Sequence, residues 1–244
     1  MQATEELFRH DSYVKSCQAQ VLGVNERGGI ILDRTVFYAT GGGQPGDSGT
    51  LCLPDGSEIE IATTVHDRDS RAIVHVPAEP AALTPGQDVT CALNWDRRHQ
   101  HMRVHSCLHL LCALLPYLVT GGSISEGQGR LDFDIPDAGL DKAALSEELN
   151  ALIARDAPVT MRWITDEELD AQPELVRTMA VQPPRGSGRV RLIEIGDIDL
   201  QPCGGTHVAT TAEIGTAEVT KIEKKGAQNR RVRIALLENR SPAL

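Results

Sequence analysis

The hydrophobic pattern of the chain changes character within "NWDRRHQHMRVHSCLHLLCALLPYL", residues 94–118. Apolar and histidine positions recur there at steps of three and four residues, which is the spacing of one face of an α-helix. This face carries Met102, His105, Leu108, His109, Cys112 and Leu115. Asp96 is a suitable N-cap, and Pro116 and Gly121 stop the pattern, so we predict one long helix between them.

Before this helix, from about residue 17 to residue 95, the chain consists of short segments rich in Val and Ile, separated by Gly, Pro or Asp. Segments of this length and composition are typical of β-strands. They are "CQAQVLGV", "GGIILDR", "EIEIATTV", "RAIVHVP" and "DVTCALNW". No helical period occurs among them, which favours a small β-barrel or sandwich. The segment "TVFYATGGGQPGDSG" contains too many glycines for a strand, and we interpret it as an ordered loop.

After the long helix, helices and strands are mixed without strict alternation, which indicates an α+β fold. A second helix is predicted in "DKAALSEELNALIARD", where Leu145, Leu149, Leu152 and Ile153 share a face. Strands are predicted in "GRLDFDI", "PVTMRWI", "GRVRLIEI", "EIGTAEVTKIEKK" and "NRRVRIALLE". The predicted fold class is therefore α+β, with a small β-barrel domain at residues 1–95 and an α+β domain at residues 96–244.

The composition excludes several classes of protein. No apolar run approaches the ~20 residues that cross a bilayer, and the N-terminal residues lack the pattern of a signal peptide. We therefore expect a cytoplasmic protein, in which the six scattered cysteines stay reduced. The net charge of −10 argues against binding of nucleic acid through the overall field, although a local basic face is compatible with it.

Four residues form a candidate metal site. His105 and His109 lie four residues apart on the predicted helix, so both imidazoles project from one face. Cys203 and His207 flank two glycines and a threonine in "QPCGGTHV". Three nitrogens and one sulfur suit Zn²⁺, and we predict one zinc ion per chain that joins the helix to this loop.

Three motifs of the chain resemble one known family. "HSCLH" followed much later by "CGGTH" resembles the zinc-binding pattern in the editing domains of alanyl- and threonyl-tRNA synthetases. "LDRTVFYATGGGQPGDSG" is similar to the glycine-rich segment on the alanyl side of that family, and "EIGTAEVTKIEKKGAQNRRVRI" resembles its C-terminal strand pair. The resemblance covers roughly residues 20–240, and the chain is too short for an aminoacylation domain. It therefore resembles the AlaX family of freestanding alanyl-tRNA editing proteins, in the form with an N-terminal glycine-motif domain.

The resemblance implies hydrolysis of alanine-specific tRNA that carries serine, with glycine as a further candidate. It implies that His105, His109, Cys203 and His207 hold the zinc ion, and we also place Cys203 in the catalytic group. A bound zinc ion could activate water or could only shape the pocket. The sequence leaves these two roles open, and it leaves open whether all four ligands bind at once.

Selectivity against alanine needs a polar group, because alanine is smaller than serine and cannot be excluded by size. A buried polar group that alanine leaves unsatisfied costs about 1–3 kcal/mol, and such sites discriminate well. We predict Thr35 for this group, with Gln44 as the second candidate.

The expected partner is the acceptor end of a tRNA, held through phosphate contacts. Three glycines are expected to let the loop backbone approach the tRNA: Gly41, Gly42 and Gly43. A basic cluster lies in the last predicted hairpin: Lys221, Lys224, Lys225, Arg230, Arg231 and Arg233. Further candidate cations are Arg97, Arg98, Arg103, Arg185, Arg189 and Arg191. His99 and His101 lie off the helical stripe, and we expect them to face solvent or RNA.

Two other functions fit the same residues. A threonyl-type domain that edits seryl-tRNA shares the zinc pattern, although the glycine-rich segment argues against it. A zinc-stabilised tRNA-binding module without catalysis would retain the same four ligands. A zinc peptidase is disfavoured, because "HSCLH" lacks the glutamate of a His-Glu-x-x-His helix.

Overall fold

A computed structural model describes residues 3–135, 139–178, 188–226 and 228–237. The chain divides into two compact units, Met1–His99 and Gln100–Leu244. The boundary between them lies inside the long helix, whereas the sequence pattern suggested a boundary at its start. Within the described ranges, no helix combines the length and the apolarity that a membrane span requires.

The N-terminal unit is a closed β-barrel. Its strands are β1 (Glu5–Glu6), β2 (Ser16–Val24), β3 (Ile30–Leu32), β4 (Arg34–Thr35), β5 (Gly49–Cys52), β6 (Glu58–His66), β7 (Ile73–Pro77) and β8 (Asp88–Leu93). Six of them close in the order β2-β3-β7-β6-β5-β8, and all neighbouring pairs are antiparallel. The predicted barrel is confirmed, and the sandwich alternative is wrong.

Aliphatic side chains fill the barrel, as expected for a chain with 3% aromatic residues. Alternate positions of a strand face inward, so Ala19 and Val21 of β2 are buried while their neighbours are more exposed. The core cluster comprises Ala19, Val21, Ile30, Leu32, Val36, Phe37, Leu51, Ile61, Leu83, Val89 and Cys91. The strand β5 was not predicted, because it is short and starts at the last glycine of the glycine-rich segment.

The glycine-rich segment is an ordered loop, and a buried ion pair holds it. The side chains of residues 36–39 are buried, and the Asp47 carboxylate accepts the N–H of Tyr38 at 2.6 Å. Arg98 is fully buried, and its Nε donates to both oxygens of Asp47 at 3.1 and 2.9 Å. Its Nη2 also donates to the carbonyl of Val36 at 2.7 Å. The expectation that Arg98 faces RNA is therefore wrong, since this cation stabilises the loop from within.

The long helix is α1 (Trp95–Leu114), and the predicted helix is confirmed. The prediction of Asp96 as N-cap is wrong, because Asp96 lies inside the first turn. Instead, the side-chain oxygen of Asn94 accepts the N–H of Arg97 at 3.2 Å. An Asn side chain caps a helix in the same way as Asp, so the error is one of position.

The second unit is α+β, and the predicted fold class is confirmed. Its further elements are β9 (Val119–Ser125), β10 (Gln128–Asp134), α2 (Lys142–Ile153), β11 (Val159–Ile164), α3 (Asp166–Asp170), β12 (Val190–Ile195), β13 (Asp199–Pro202), β14 (Thr216–Lys224) and β15 (Asn229–Leu237). They form an antiparallel sheet β14-β15-β10-β9 and an antiparallel sheet β11-β12-β13. The sequence missed β9 because its glycine pair resembles a helix stop, and it missed β13 because four residues are too few for a periodic signal.

Asp141 is the N-cap of helix α2, and its carboxylate accepts the N–H groups of Ala143 and Ala144. The helix joins the larger sheet through Asn150, whose amide pairs with both backbone polar groups of Ala217 at 2.7 and 3.0 Å. Leu145, Leu149 and Ile153 are buried on one face, as predicted, while Leu152 is half-buried.

Candidate metal centre

The two halves of the predicted ligand set meet. His105 and His109 project from α1, and Cys203 and His207 lie in the loop that follows β13. One ligand atom of each residue lies within 4.8 Å of those of the other three. The Sγ atom of Cys203 is 3.5 Å from Nε2 of His105 and 3.3 Å from Nε2 of His207. Residues about a hundred positions apart in the chain therefore converge on one point.

The donor set and its spacing fit a zinc ion. Zinc binds nitrogen at about 2.0–2.1 Å and thiolate at about 2.3 Å in a tetrahedron, which places neighbouring ligand atoms about 3.3–3.6 Å apart. The two sulfur–nitrogen distances lie in this range. Hard cations such as Mg²⁺ and Ca²⁺ prefer oxygen ligands, so a set of three imidazoles and one thiolate disfavours them. The residues therefore fit zinc.

Hydrogen bonds from neighbouring residues orient two of the imidazoles. Nδ1 of His109 lies 2.9 Å from Oδ2 of Asp199, and the same oxygen accepts the Gln201 amide at 2.8 Å. Nδ1 of His207 lies 3.1 Å from the hydroxyl of Ser106. In both rings the outer nitrogen is engaged, so Nε2 is the atom left for a metal. Partners of this kind fix the tautomer and the orientation of a ligating histidine.

The pKa values within the cluster favour the thiolate form of the cysteine. Burial opposes ionisation of Cys203, yet His105 and His207 hold the pKa of its thiol well below the ordinary value. Burial and the charge of His105 hold the pKa of His207 well below its ordinary value, so this imidazole is neutral. Burial also disfavours the charged form of His109, but Asp199 and Cys203 raise its pKa to about 10. Metal ligands must be deprotonated, so Cys203 and His207 already favour the required form, whereas His109 must lose its Nε2 proton when a metal binds.

Thr35 lies in the barrel unit, fully buried, and its hydroxyl makes two hydrogen bonds. Its Oγ1 atom is 2.8 Å from Nε2 of His75 and accepts the N–H of Phe37 at 3.0 Å. Burial lowers the pKa of His75 to about 4, so the ring is neutral, and its Nδ1 lies 3.1 Å from the carbonyl of Ile30. The proton therefore sits on Nδ1, and Thr35 must donate its own proton to Nε2. One lone pair of the Thr35 hydroxyl remains to accept a further hydrogen bond.

The three glycines of the loop form a tight turn that ends at Gln44. Gly41 and Gln44 exchange backbone hydrogen bonds of 3.1 and 2.9 Å. Between them, Gly42 and Gly43 have φ angles of +55° and +85°. Both lie in the left-handed region, which a two-residue turn of this type requires and which favours glycine. The side chain of Gln44 is fully buried.

The basic cluster of the last hairpin is partly neutralised within the unit. Arg231 forms a two-bond pair with Asp132, both distances being 2.7 Å. Arg233 and Lys221 both contact Glu223, at 2.7 and 3.0 Å. Lys224 and Lys225 are exposed, and Arg230 is half-buried. The sequence pattern placed these cations in one group, whereas in the structure Lys221, Arg231 and Arg233 are ion-paired with Glu223 or Asp132.

Several other predicted RNA-facing residues have structural roles. His101 is 1% exposed and Arg191 is 6% exposed, so the expectation that they face solvent or RNA is wrong. Arg103 donates to the carbonyl of Ile214 at 3.0 and 2.8 Å. His99 stacks on Trp95 with ring centroids 5.5 Å apart.

The remaining candidate cations differ in their surroundings. Arg97 donates to the carbonyl of Gly46 at 2.6 Å. The guanidinium of Arg189 lies 5.3 Å from the ring centre of Trp163. Arg185 lies outside the described residues.

Comparisons with known proteins agree with this geometry. Residues 190–233 match the threonyl and alanyl tRNA synthetase second additional domain, and residues 5–97 match the class II (A) tRNA synthetases. The chain is 32% identical to an alanyl-tRNA editing protein AlaX-M of Methanosarcina barkeri, over 96% of this chain and 100% of the relative. It is 34% identical to the AlaX-M protein of Saccharolobus solfataricus, over 94% and 97%.

A longer relative also matches, the alanine–tRNA ligase of Saccharolobus islandicus, which is 31% identical over 92% of this chain and 25% of the ligase. The barrel, the His/Cys cluster and these matches place the chain in the class of proteins that share domains with the alanyl-tRNA synthetases. Within that class, the chain belongs to the AlaX family of alanyl-tRNA editing proteins.

Proposed function

We propose that this protein hydrolyses the ester bond of alanine-specific tRNA that carries serine, with glycine as the second candidate amino acid. The observation that carries this proposal is the convergence of His105, His109, Cys203 and His207 in a chain of the AlaX family. Relatives at 32–34% identity are alanyl-tRNA editing proteins by name.

The four residues hold one zinc ion, which when bound supplies a Lewis acid for the ester carbonyl or lowers the pKa of water. Four protein ligands close a structural zinc site, whereas hydrolytic sites keep one position open. The three histidines are buried, and Cys203 is the half-buried member of the set. We therefore propose that the ester approaches beside Cys203, the residue assigned to the catalytic group.

Thr35 is the residue we propose for discrimination between serine and alanine. Its hydroxyl proton is committed to His75, so Thr35 can only accept a hydrogen bond from a substrate. A seryl hydroxyl can donate to this lone pair, while an alanyl methyl group leaves it unpaired. Thr35 is fully buried, so this role requires a movement that exposes it. Gln44, also buried, is the second candidate.

For tRNA binding, we propose contacts from the glycine turn Gly41–Gly43 and from the hairpin cluster. Lys224 and Lys225 are exposed and are the strongest candidates for phosphate contacts, followed by Arg230. Lys221 and Arg231 are ion-paired, so a phosphate would have to compete with Glu223 or Asp132.

Deacylation assays test the proposal. Wild-type protein and Cys203→Ala are compared on alanine-specific tRNA charged with serine, glycine or alanine, with Cys52→Ala as a control that removes a cysteine of the barrel unit. We expect rapid deacylation of the seryl substrate by wild type and by the control, and loss of this activity in Cys203→Ala. Binding of tRNA without turnover would support the non-catalytic module instead. Faster cleavage of threonine-specific tRNA charged with serine would support the threonyl type.

A further inference from the structure

Arg191 makes an unusual set of contacts with the metal-binding loop. It belongs to β12, and the N–H of Cys203 donates to its carbonyl at 3.0 Å. After Cys203 the chain leaves the sheet, and the side chain of Arg191 then donates the hydrogen bonds to its backbone. Its Nη1 donates to the carbonyl of Cys203 at 3.1 Å and to that of Gly205 at 2.8 Å.

These contacts fix the bend that carries the sulfur ligand. The carbonyls of Cys203 and Gly205 point to one guanidinium nitrogen, so the backbone must curl between them. Within this bend, the N–H of Gly205 also lies 3.4 Å from Sγ of Cys203. Arg191 is 6% exposed, so bulk water cannot replace its guanidinium as the hydrogen-bond donor to these carbonyls.

We propose that Arg191 is a positioning residue of the metal centre, which holds the Cys203–Gly205 bend in its metal-binding form before the ion arrives. The loop then loses less conformational freedom on binding, so Arg191 raises the affinity for zinc. This inference rests on the proposed zinc site. It differs from the RNA contact that the sequence suggested for Arg191 and from a role in stability alone.

The geometry favours arginine over lysine. A guanidinium is planar and rigid, so two carbonyls at fixed positions can share it with little further loss of freedom. A lysine at this position keeps the charge, but its flexible ammonium holds the bend less well. Affinity for zinc should therefore decrease in the order Arg191, Arg191→Lys, Arg191→Met.

The test measures zinc affinity by competition with a chromophoric chelator, in the folded full-length chain and without tRNA. The control is Arg162→Met on the neighbouring strand β11, where an exposed arginine lies 3.9 Å from Glu194. We expect the dissociation constant to rise by about 10–100-fold in Arg191→Met, by less in Arg191→Lys and not in the control. The thiolate-to-metal absorption band of the cobalt-loaded protein should weaken in the same order.

Unchanged zinc affinity in Arg191→Lys and Arg191→Met, with only a lower melting temperature, would overturn the inference. If Arg191→Met does not fold, Arg191→Lys decides, and wild-type affinity together with an unaltered cobalt spectrum contradicts the proposal. A wild-type protein that fails to bind zinc would overturn both the metal centre and this role. A wild-type protein that binds zinc but does not deacylate seryl-tRNA overturns only the proposed function.

Discussion

Nδ1 of His109 lies 2.9 Å from Oδ2 of Asp199, which links helix α1 to strand β13. The carboxylate is buried and also accepts the amide of Gln201 at 2.8 Å. Because Asp199 accepts the Nδ1 proton, Nε2 is the nitrogen of His109 that can lose its proton and bind a metal. The orientation of a candidate metal ligand therefore depends on a residue that is not itself in the ligand set.

Replacement of Asp199 by Ala should weaken zinc binding by about 10–100-fold, because His109 loses the partner that fixes its tautomer. Chelator competition measures this change. Asp197→Ala is the matched control, since Asp197 is exposed and forms an ion pair with the exposed Arg155. Equal affinities of the two variants would show that Asp199 does not support the metal ligand.

The candidate ligands and their convergence could be predicted from sequence, whereas the residues that support them could not. His105 and His109 show the helical spacing of four, and the loop pair stands out because Cys and His flank glycines. Asp199 lies in "IGDIDL", where nothing in the sequence distinguishes it from Asp197, although Asp199 is buried and Asp197 is exposed. Its role depends on β13 meeting α1, which is a tertiary contact between residues ninety positions apart.

Tertiary contacts without a local sequence signal also explain why the predictions for two charged residues were wrong. Arg98 and Arg191 are buried, although a cation in a sequence is most often exposed. Asp47, the partner of Arg98, lies in a glycine-rich loop fifty-one residues earlier, and nothing local connects the two. The barrel, by contrast, follows from strand length and Val and Ile content, which are local properties.

Thr35→Val should narrow the difference between the deacylation rates of seryl- and alanyl-tRNA, because no acceptor remains for the seryl hydroxyl. The variant should also lose about 1–3 kcal/mol of unfolding free energy, since the N–H of Phe37 and Nε2 of His75 lose their partner. Rates on both substrates and a denaturant titration measure the two effects.

Thr64→Val is the matched control for this prediction. Thr64 is a fully buried threonine of the same unit, and its hydroxyl donates to the carbonyl of Asp47 at 3.1 Å. Thr64→Val should be less stable than wild type, while the ratio of its deacylation rates on seryl- and alanyl-tRNA stays at the wild-type value. If Thr35→Val leaves the ratio unchanged as well, Thr35 has no part in selectivity.

His75 should make the barrel unit less stable in mild acid. Its folded pKa of about 4 lies below the ordinary value of 6.5, so the unfolded chain takes up a proton first as the pH falls. The contribution of His75 to the unfolding free energy is constant above about pH 6.5 and is lost as the pH falls towards 4. The loss reaches about 2 kcal/mol by about pH 5. Other histidines titrate too, so the unfolding free energy of wild type is compared with that of His75→Gln at about pH 7.5 and pH 5. An equal acid dependence of the two proteins would disprove the effect.

Replacement of Lys224, Lys225 and Arg230 by Gln should weaken tRNA binding and flatten its salt dependence. Each lost phosphate contact reduces the slope of log affinity against log salt by about one. Lys142→Gln is the control, because Lys142 is an exposed lysine of the same unit that already pairs with Glu218 at 3.4 Å. Wild-type affinity and slope in the triple variant would remove this surface from the tRNA interface.

The metal dependence of seryl-tRNA deacylation tests the proposed chemistry most directly. The protein is stripped of metal with a chelator, its fold is verified by circular dichroism, and the rate on alanine-specific tRNA charged with serine is measured before and after zinc is restored. We predict that the stripped, folded protein is inactive and that one equivalent of zinc per chain restores the rate. Full activity of the folded, metal-free protein would contradict a role in deacylation for a metal held by His105, His109, Cys203 and His207.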